Sequence, residues 1–267
     1  MRTKIYNFFV KIKKIVFNFL ISKFKNSNKS NETLLSEHLN FTYGDQKGQV
    51  EFLINNVLDY EKNGLMKGGF FVDLACADGV NINNTYFLEK YLEWDGILFE
   101  PNPEYKNIIQ KFRKTKLVSD CVTDRLGDKV KFRIDNGMLG GIVSEETDNS
   151  ENVRGNELKS AKILELNTTT LDNELDKISA PSLIDFLSLD VEGAEWMVLK
   201  AFPFNKYKFR CMTIERPNIK LDLLLEKNGY RQVAHLKHDV IYVHRDFQNE
   251  VNFKPNIRFS FTPKKDW

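Results

Sequence analysis

From Phe70 onward the chain alternates short apolar runs with amphipathic stretches, and this alternation restricts it to a narrow set of α/β architectures. Strand-like runs fall near residues 70–75, 96–100, 116–122, 184–190 and 209–215, with helical periodicity between most of them. Strands joined by helices in this way run parallel, through right-handed crossovers. Two more runs, at 230–236 and 239–244, are separated by too few residues for a crossover. They form a hairpin, so the last strand runs antiparallel. The expected fold is a three-layer αβα, Rossmann-like domain with a mostly parallel sheet and a terminal antiparallel hairpin. Residues 129–170 break the rhythm with a strand-like Lys129-Val-Lys-Phe-Arg-Ile134, a Gly-Met-Leu-Gly-Gly turn and a polar run over 144–160. That pattern reads as an insertion or lid.

The first strand runs into Phe70-Phe-Val-Asp-Leu-Ala-Cys-Ala-Asp-Gly79, and Glu100 follows 21 residues after this glycine. A dinucleotide-binding turn carries GxGxxG so that backbone can close on a pyrophosphate at a helix N-terminus. Here there is one glycine with two acids, Asp73 and Asp78, which repel phosphate. They suit a ligand with a cationic group and a ribose diol but no phosphate, a description met by S-adenosylmethionine (AdoMet). Glu100 ends the second strand before Pro101 and is placed to accept from both ribose hydroxyls. Asp73 could bind the methionine amino group, directly or through the amides of the turn; its alternative role is to cap the following helix. Asp78 and Gly79 shape the turn, and Asn84 and Thr85, at the start of the next helix, could donate to the methionine carboxylate. Asp120 and Cys121 end the third strand beside adenine, where Asp120 either accepts from the exocyclic amine or stands in a surface turn. Asn102 joins the same cofactor set. The tetrapeptide Asn102-Pro-Glu-Tyr105 superficially matches the NPPY of base-methylating enzymes. It follows the second strand, whereas that motif follows the fourth, so it is not read as one.

Leu189-Asp-Val-Glu-Gly-Ala-Glu195 gathers three carboxylates at the carboxyl end of the fourth strand, the edge at which open α/β sheets bind ligands. Asp190 and Glu192 are the candidates for acting on an acceptor, and Glu195 is better suited to a helix N-terminus. Glu215, ending the neighbouring strand, either shares the task or pairs with Arg216. Crowded acids raise one another's pKa, which makes a better base. The other option is a divalent cation binding a sugar diol; no metal ligand is assigned. His235 and His238, three apart in a strand, point to opposite faces.

These stretches together resemble the FkbM-type methyltransferases over roughly residues 44–244. The matching segments are Phe71-Val-Asp-Leu-Ala-Cys-Ala-Asp-Gly79, Asn84-Thr85 with Phe87-Leu-Glu89, and Trp94-Asp-Gly-Ile-Leu-Phe-Glu-Pro-Asn-Pro103. Ile184-Asp-Phe-Leu-Ser-Leu-Asp-Val-Glu-Gly-Ala-Glu195 and Ile214-Glu-Arg-Pro217 follow in the same order. The resemblance implies a class I methyltransferase fold and AdoMet-dependent O-methylation, frequently of sugar hydroxyls in glycans or natural products. Together with the roles read above, the candidate set is Asp190, Glu192 and Glu215 for the chemistry, and Asp73, Ala75, Asp78, Gly79, Asn84, Thr85, Glu100, Asn102, Asp120 and Cys121 for the cofactor. One departure is Ala75, where the relatives carry glycine; alanine does not adopt positive φ cheaply.

Of the chain's 267 residues, the first 31 hold eight Lys/Arg and no acid, leaving 31 basic against 37 acidic side chains in the rest. The body therefore lacks the clustered basic face that nucleic acid requires. In the leader, Ile5, Phe8, Phe9, Ile12, Val16, Phe19 and Leu20 recur at helical spacing beside lysines. This reads as an amphipathic basic helix followed by a polar linker, too short in its uncharged run to span a bilayer. It either lies on an anionic membrane surface or packs on protein. Residues 32–69 read as a helical approach to a catalytic domain at 70–245, and 246–267 as a tail. Cys76, Cys121 and Cys211 show no CxxC pairing and read as buried thiols in a reducing compartment. The expected location is cytoplasmic, peripheral at the membrane, with a saccharide or glycolipid acceptor. Two other readings stay open at this stage: an inactive membrane-bound scaffold, and a nucleic-acid methyltransferase tethered by its leader.

Overall fold

The computed structural model describes residues 45, 48–59, 63 and 66–251. The expected amphipathic leader, part of the helical approach and the tail beyond residue 251 lie outside the described residues. The described chain opens with a short helix, α1 (Gln49–Phe52), that continues into a π-helical turn over Leu53–Val57.

Seven strands then form the main sheet: β1 (Phe70–Leu74), β2 (Asp95–Phe99), β3 (Lys116–Val118), β8 (Leu183–Leu189), β9 (Lys208–Glu215), β10 (Tyr230–Leu236) and β11 (Asp239–His244). Their order across the sheet is β10-β11-β9-β8-β1-β2-β3. Neighbours from β3 through β9 pair in parallel, while β11 is antiparallel to both β9 and β10. The reversed strand and the hairpin agree with the reading of the apolar runs.

Successive side chains of a strand point to opposite faces, and β1 shows how both faces are covered. Val72 and Leu74 join a core with Leu171, Leu175, Leu199, Leu221 and Leu225 from the helices α5 (Leu171–Lys177), α6 (Glu195–Leu199) and α7 (Ile219–Lys227). Phe71 and Asp73 face the other way, towards α2 (Tyr86–Leu92) and α3 (Lys106–Phe112), where Thr85 bonds Asp73 and Arg113 lies over the Phe71 ring. Each fully buried Leu, Ile or Phe contributes about 1.5–3 kcal/mol, against the ~1–2 kcal/mol that ordering each residue's backbone costs. Burial on both faces is why these strands read as almost continuous apolar runs.

A second sheet has the order β4-β7-β5-β6, from β4 (Cys121–Val122), β5 (Lys129–Arg133), β6 (Gly141–Ile142) and β7 (Ile163–Thr169). The single strand expected over 116–122 is thereby corrected. It breaks after Val118, and Cys121 and Val122 pair with Thr168 and Thr169 in the smaller sheet. The interruption expected at 129–170 is an ordered meander, with a short helix α4 (Glu151–Arg154) after β6. Phe132, Ile134 and Ile142 bury against Cys121 and Ala194, which fastens the meander to the turn after β8. No helix among the described residues is long and apolar enough to cross a membrane.

Candidate active site

Chain order reverses at β1, which has β2 on one side and β8 on the other, and open α/β sheets bind ligands in the crevice at the carboxyl edge of such a point. A narrow cleft, partly open to solvent, occupies that edge. Leu74, Ala75 and Ala77 line it after β1, Glu100, Pro101 and Asn102 after β2, Asp120, Cys121 and Val122 beyond β3, and Val191 and Ala194 after β8. Phe132 and Ile142 of the small sheet, with Met138 from the turn between β5 and β6, close it from the other side.

The turn after β1 is strained where it meets the cleft. Ala75 and Ala77 hold φ of 63° and 50°, a region that costs an L-residue roughly 1–2 kcal/mol. Ala75 therefore adopts the conformation that favours glycine. The strain is offset by bonding: Ala75 and Cys76 donate to the Phe99 carbonyl at 3.0 and 3.2 Å, and Ala77 donates to Glu100 Oε2 at 2.8 Å. Glu100 Oε1 accepts from the Asn102 amide at 2.8 Å. Burial pushes the Glu100 carboxyl up to about 8, against the opposing effect of these two amides. Each oxygen retains acceptor capacity beyond its one amide, so the residue fits a diol whose two donors would favour its ionised form. The apolar walls and the absence of a glycine-rich phosphate cradle fit the adenosine part of AdoMet.

Not every residue of the expected cofactor set faces the cleft. Asp73 is buried behind the turn, where its Oδ2 accepts from Thr85 Oγ1 at 2.6 Å and Asn83 Nδ2 at 2.9 Å. Asn83 Oδ1 accepts from the Thr85 and Tyr86 amides in a turn that leads into α2. Arg113 closes the group, donating to Gly79 O, Asn83 Oδ1 and Thr85 Oγ1 and pairing with Glu89. Asp78 turns back on its own loop, accepting from the Val80 and Asn81 amides. Gly79, at φ 69°, passes close under Ile109 and Arg113, and a β-carbon there would meet Ile109 at 3.3 Å. Asp73, Asp78, Gly79 and Thr85 thus build the turn from behind. Asn84 donates to Ser188 Oγ at 3.0 Å, bridging β1's turn to β8, while its Oδ1 is buried without a hydrogen-bond partner. Asn102 reaches the other sheet, donating to the Ile134 carbonyl at 3.2 Å.

Asp190, Glu192 and Glu215 come together, with one carboxylate oxygen of each within 4.8 Å of the others. The register brings Leu189 opposite Ile214, so Asp190 and Glu215 leave adjacent parallel strands side by side. Burial, then the charge of Glu215 and a hydrogen bond to it, push Asp190 up to about 9. Burial and Glu215 push Glu192 up to about 7, opposed by Arg216 and Arg154. Arg216 Nη2 lies 2.8 Å from Glu215 Oε2 and 3.6 Å from Glu192 Oε2, and also contacts Asp148. Arg154 stands 3.8 Å from Glu192. A guanidinium thus already supplies the positive charge that such a cluster calls for. Glu195 begins α6 as expected, its Oε1 accepting from the amides of Val191 and Gly193 at 3.1 and 3.2 Å; burial pushes it up to about 7. His238 lies in the turn between β10 and β11, where its carbonyl accepts from the Arg216 amide.

Sequence reasoning did not single out Arg113, Asn83, Asp148 or Arg154. Arg113 carried a usable signal, since it falls four residues after the buried Ile109 and so shares its helix face. Asp148 and Arg154 sit in a polar run with no periodicity, and only the folding of the meander brings them to β8.

No curated protein matches the chain in sequence. Among solved structures, a precorrin-6Y C5,15-methyltransferase from Geobacter metallireducens GS-15 aligns over 67% of this chain and 81% of that one, with 12% identity and a TM-score of 0.36. That likeness is too slight to bear on this chain. The sequence model of the Methyltransferase FkbM domain matches residues 73–240, more than half of the chain, from Asp73 in β1 to the start of β11. The protein belongs to the FkbM methyltransferase family and has a class I, Rossmann-like methyltransferase fold.

Proposed function

We propose that the protein is an AdoMet-dependent O-methyltransferase that methylates a hydroxyl of a saccharide, glycan or glycolipid. The observation that carries this reading is the group Asp190, Glu192 and Glu215, joined to the cleft through Val191 and Ala194 of the same turn. AdoMet, when bound, supplies a methyl group as an electrophile on a sulfonium.

Glu100 would hold the ribose, and Ala75, Ala77, Val122 and Phe132 would wall the rest of the cofactor. The carboxylates would orient the acceptor hydroxyl and hold the proton it gives up. Orientation accounts for most of the gain, roughly 7–11 kcal/mol, while a base adds 10²–10⁴ in rate, or about 3–5.5 kcal/mol. A polyol matches the site because several acceptors in one place can bind neighbouring hydroxyls.

Calorimetry with AdoMet and S-adenosylhomocysteine tests the cofactor half; ligand-free protein that binds neither would end the proposal. Mass spectrometry of surface glycans with and without the gene tests the acceptor half, with a loss of 14 Da per site expected. The basic leader would hold the enzyme at an anionic membrane, at about 1 kcal/mol per well-placed Lys or Arg. Full-length protein that fails to float with anionic liposomes would refute that attachment.

A further inference from the structure

We propose that Arg216 is a positioning residue that joins the meander over the cleft to the carboxylates of β8 and β9 and, with Asp148, sets the charge state of Glu192. The proposal rests on the methyltransferase reading of this site, but its test does not require the acceptor.

Arg216 leaves β9 at φ 42°, a conformation an L-residue rarely adopts, and its guanidinium is thereby turned into the acids. A single nitrogen, Nη2, meets carboxylates from three segments: Glu215 at the end of β9, Glu192 in the turn after β8, and Asp148 in the loop after β6. The Asp148 link is doubled through the backbone, because the Asp148 amide donates to the Glu192 carbonyl at 2.9 Å. Two more features demand this close approach. Glu192 itself has φ 54°, and a β-carbon on Gly193 would lie 2.8 Å from the Asp148 nitrogen. Strained residues on both sides of one ion pair show that the surrounding structure forces the contact.

The charges facing Glu192 are Asp148 from the loop, Arg154 from α4, Asp190 from its own turn, and Glu215 and Arg216 at the end of β9; Asp239 of β11 and Glu195 of α6 lie near Glu215. Only the two arginines are positive, and Arg216 is the one that touches the meander and the β-strand acids together. Arg216 and Asp148 act on Glu192 with opposite sign: the guanidinium favours its ionised form and the Asp148 carboxylate opposes it.

The test is carried out on the full chain with ¹³C-labelled glutamate side chains, Glu192 being assigned by the loss of its signal in Glu192→Gln. An opposite charge at this range changes a carboxyl's proton affinity by roughly tenfold or more. Arg216→Gln is expected to raise the proton affinity of Glu192 by about that factor, and Asp148→Asn to lower it by severalfold. Both variants are expected to speed hydrogen exchange at residues 141–154. Opposite signs at one carboxyl with the same effect on exchange cannot come from general loosening. An unchanged Glu192 titration in Arg216→Gln, or a rise in both variants, overturns the proposal. Should Arg216→Gln not fold, Asp148→Asn alone decides: a lowered proton affinity with faster exchange supports it, and any other result overturns it. Failure of AdoMet to bind would refute the functional reading and leave these titrations unaffected.

Discussion

The amide of Ala77 donates to Glu100 Oε2 at 2.8 Å, so the turn after β1 and the end of β2 are fastened to each other through the carboxylate expected to hold the cofactor's ribose. One side chain thus shapes the cleft and receives its occupant. Replacing Glu100 by Gln puts an NH2 group against a backbone donor or removes an acceptor. Hydrogen bonds to a charged group are worth roughly 1.5–3 kcal/mol, so AdoMet affinity measured by calorimetry should fall by about 10- to 150-fold. An affinity within twofold of the parent would remove Glu100 from the cofactor site.

Ala75 pays conformational strain at φ 63°. Ala75→Gly relieves it at the expense of a more flexible unfolded chain, for a net stabilisation of about 1 kcal/mol. Urea unfolding with an unchanged slope and a higher midpoint would confirm this. A lower midpoint would mean that the alanine methyl contributes more by packing than its backbone loses.

Arg113 has no exposed side-chain surface and is paired with Glu89 and the bonds around Asp73. Arg113→Ala leaves buried acceptors and a carboxylate uncompensated, at a cost of about 3–5 kcal/mol. Chemical denaturation should show that loss, whereas a loss below about 1 kcal/mol would mean that water readily replaces the guanidinium.

Acid titration links the site to stability. The folded-state pKa of Asp190, about 9, is above its ordinary 3.8. Between these values the folded chain binds more protons than the unfolded one, so stability falls as pH rises. Below about pH 4 both states are protonated and the group contributes no slope. Asp190→Asn should therefore flatten the decline of the thermal midpoint between pH 5 and 9, making the variant the more stable protein at the alkaline end. The same acids must be ionised to accept a proton, so methyl-transfer rate should rise with pH over the neutral range, with apparent values belonging to the cluster. A thermal midpoint whose pH dependence matches the parent's would show that Asp190 is not held protonated.

Glu100, Asp190 and Glu215 were legible because each is an acid that ends or directly follows an apolar strand, and strand ends of a parallel sheet converge on one edge. The core strands were legible for the same reason. Asp73 had the same signature but turns to the opposite face, a distinction that depends on which residues the turn recruits: Asn83, Thr85 and Arg113 claim it. The break between β3 and β4 left no trace, since Ser119 and Asp120 are compatible with a continuing strand edge. What diverts Cys121 is its pairing with Thr168, 47 residues away. Asp148 and Arg154 were illegible because nothing local distinguishes a polar residue that meets an ion pair from one that meets solvent.

β11 runs against its neighbours, and its first residue, Asp239, stands opposite Glu215 at the carboxyl edge. The turn that precedes it, at Lys237 and His238, therefore emerges beside the acids, with the His238 carbonyl bonded to Arg216. A parallel strand in that position would have started at the far edge. Reversal of one strand gives the domain a loop at the site that carries none of the sheet's crossovers, so lengthening or shortening it could retune which acceptors are admitted without disturbing the sheet. That hairpin turn is where divergence in acceptor choice between otherwise similar sequences should accumulate.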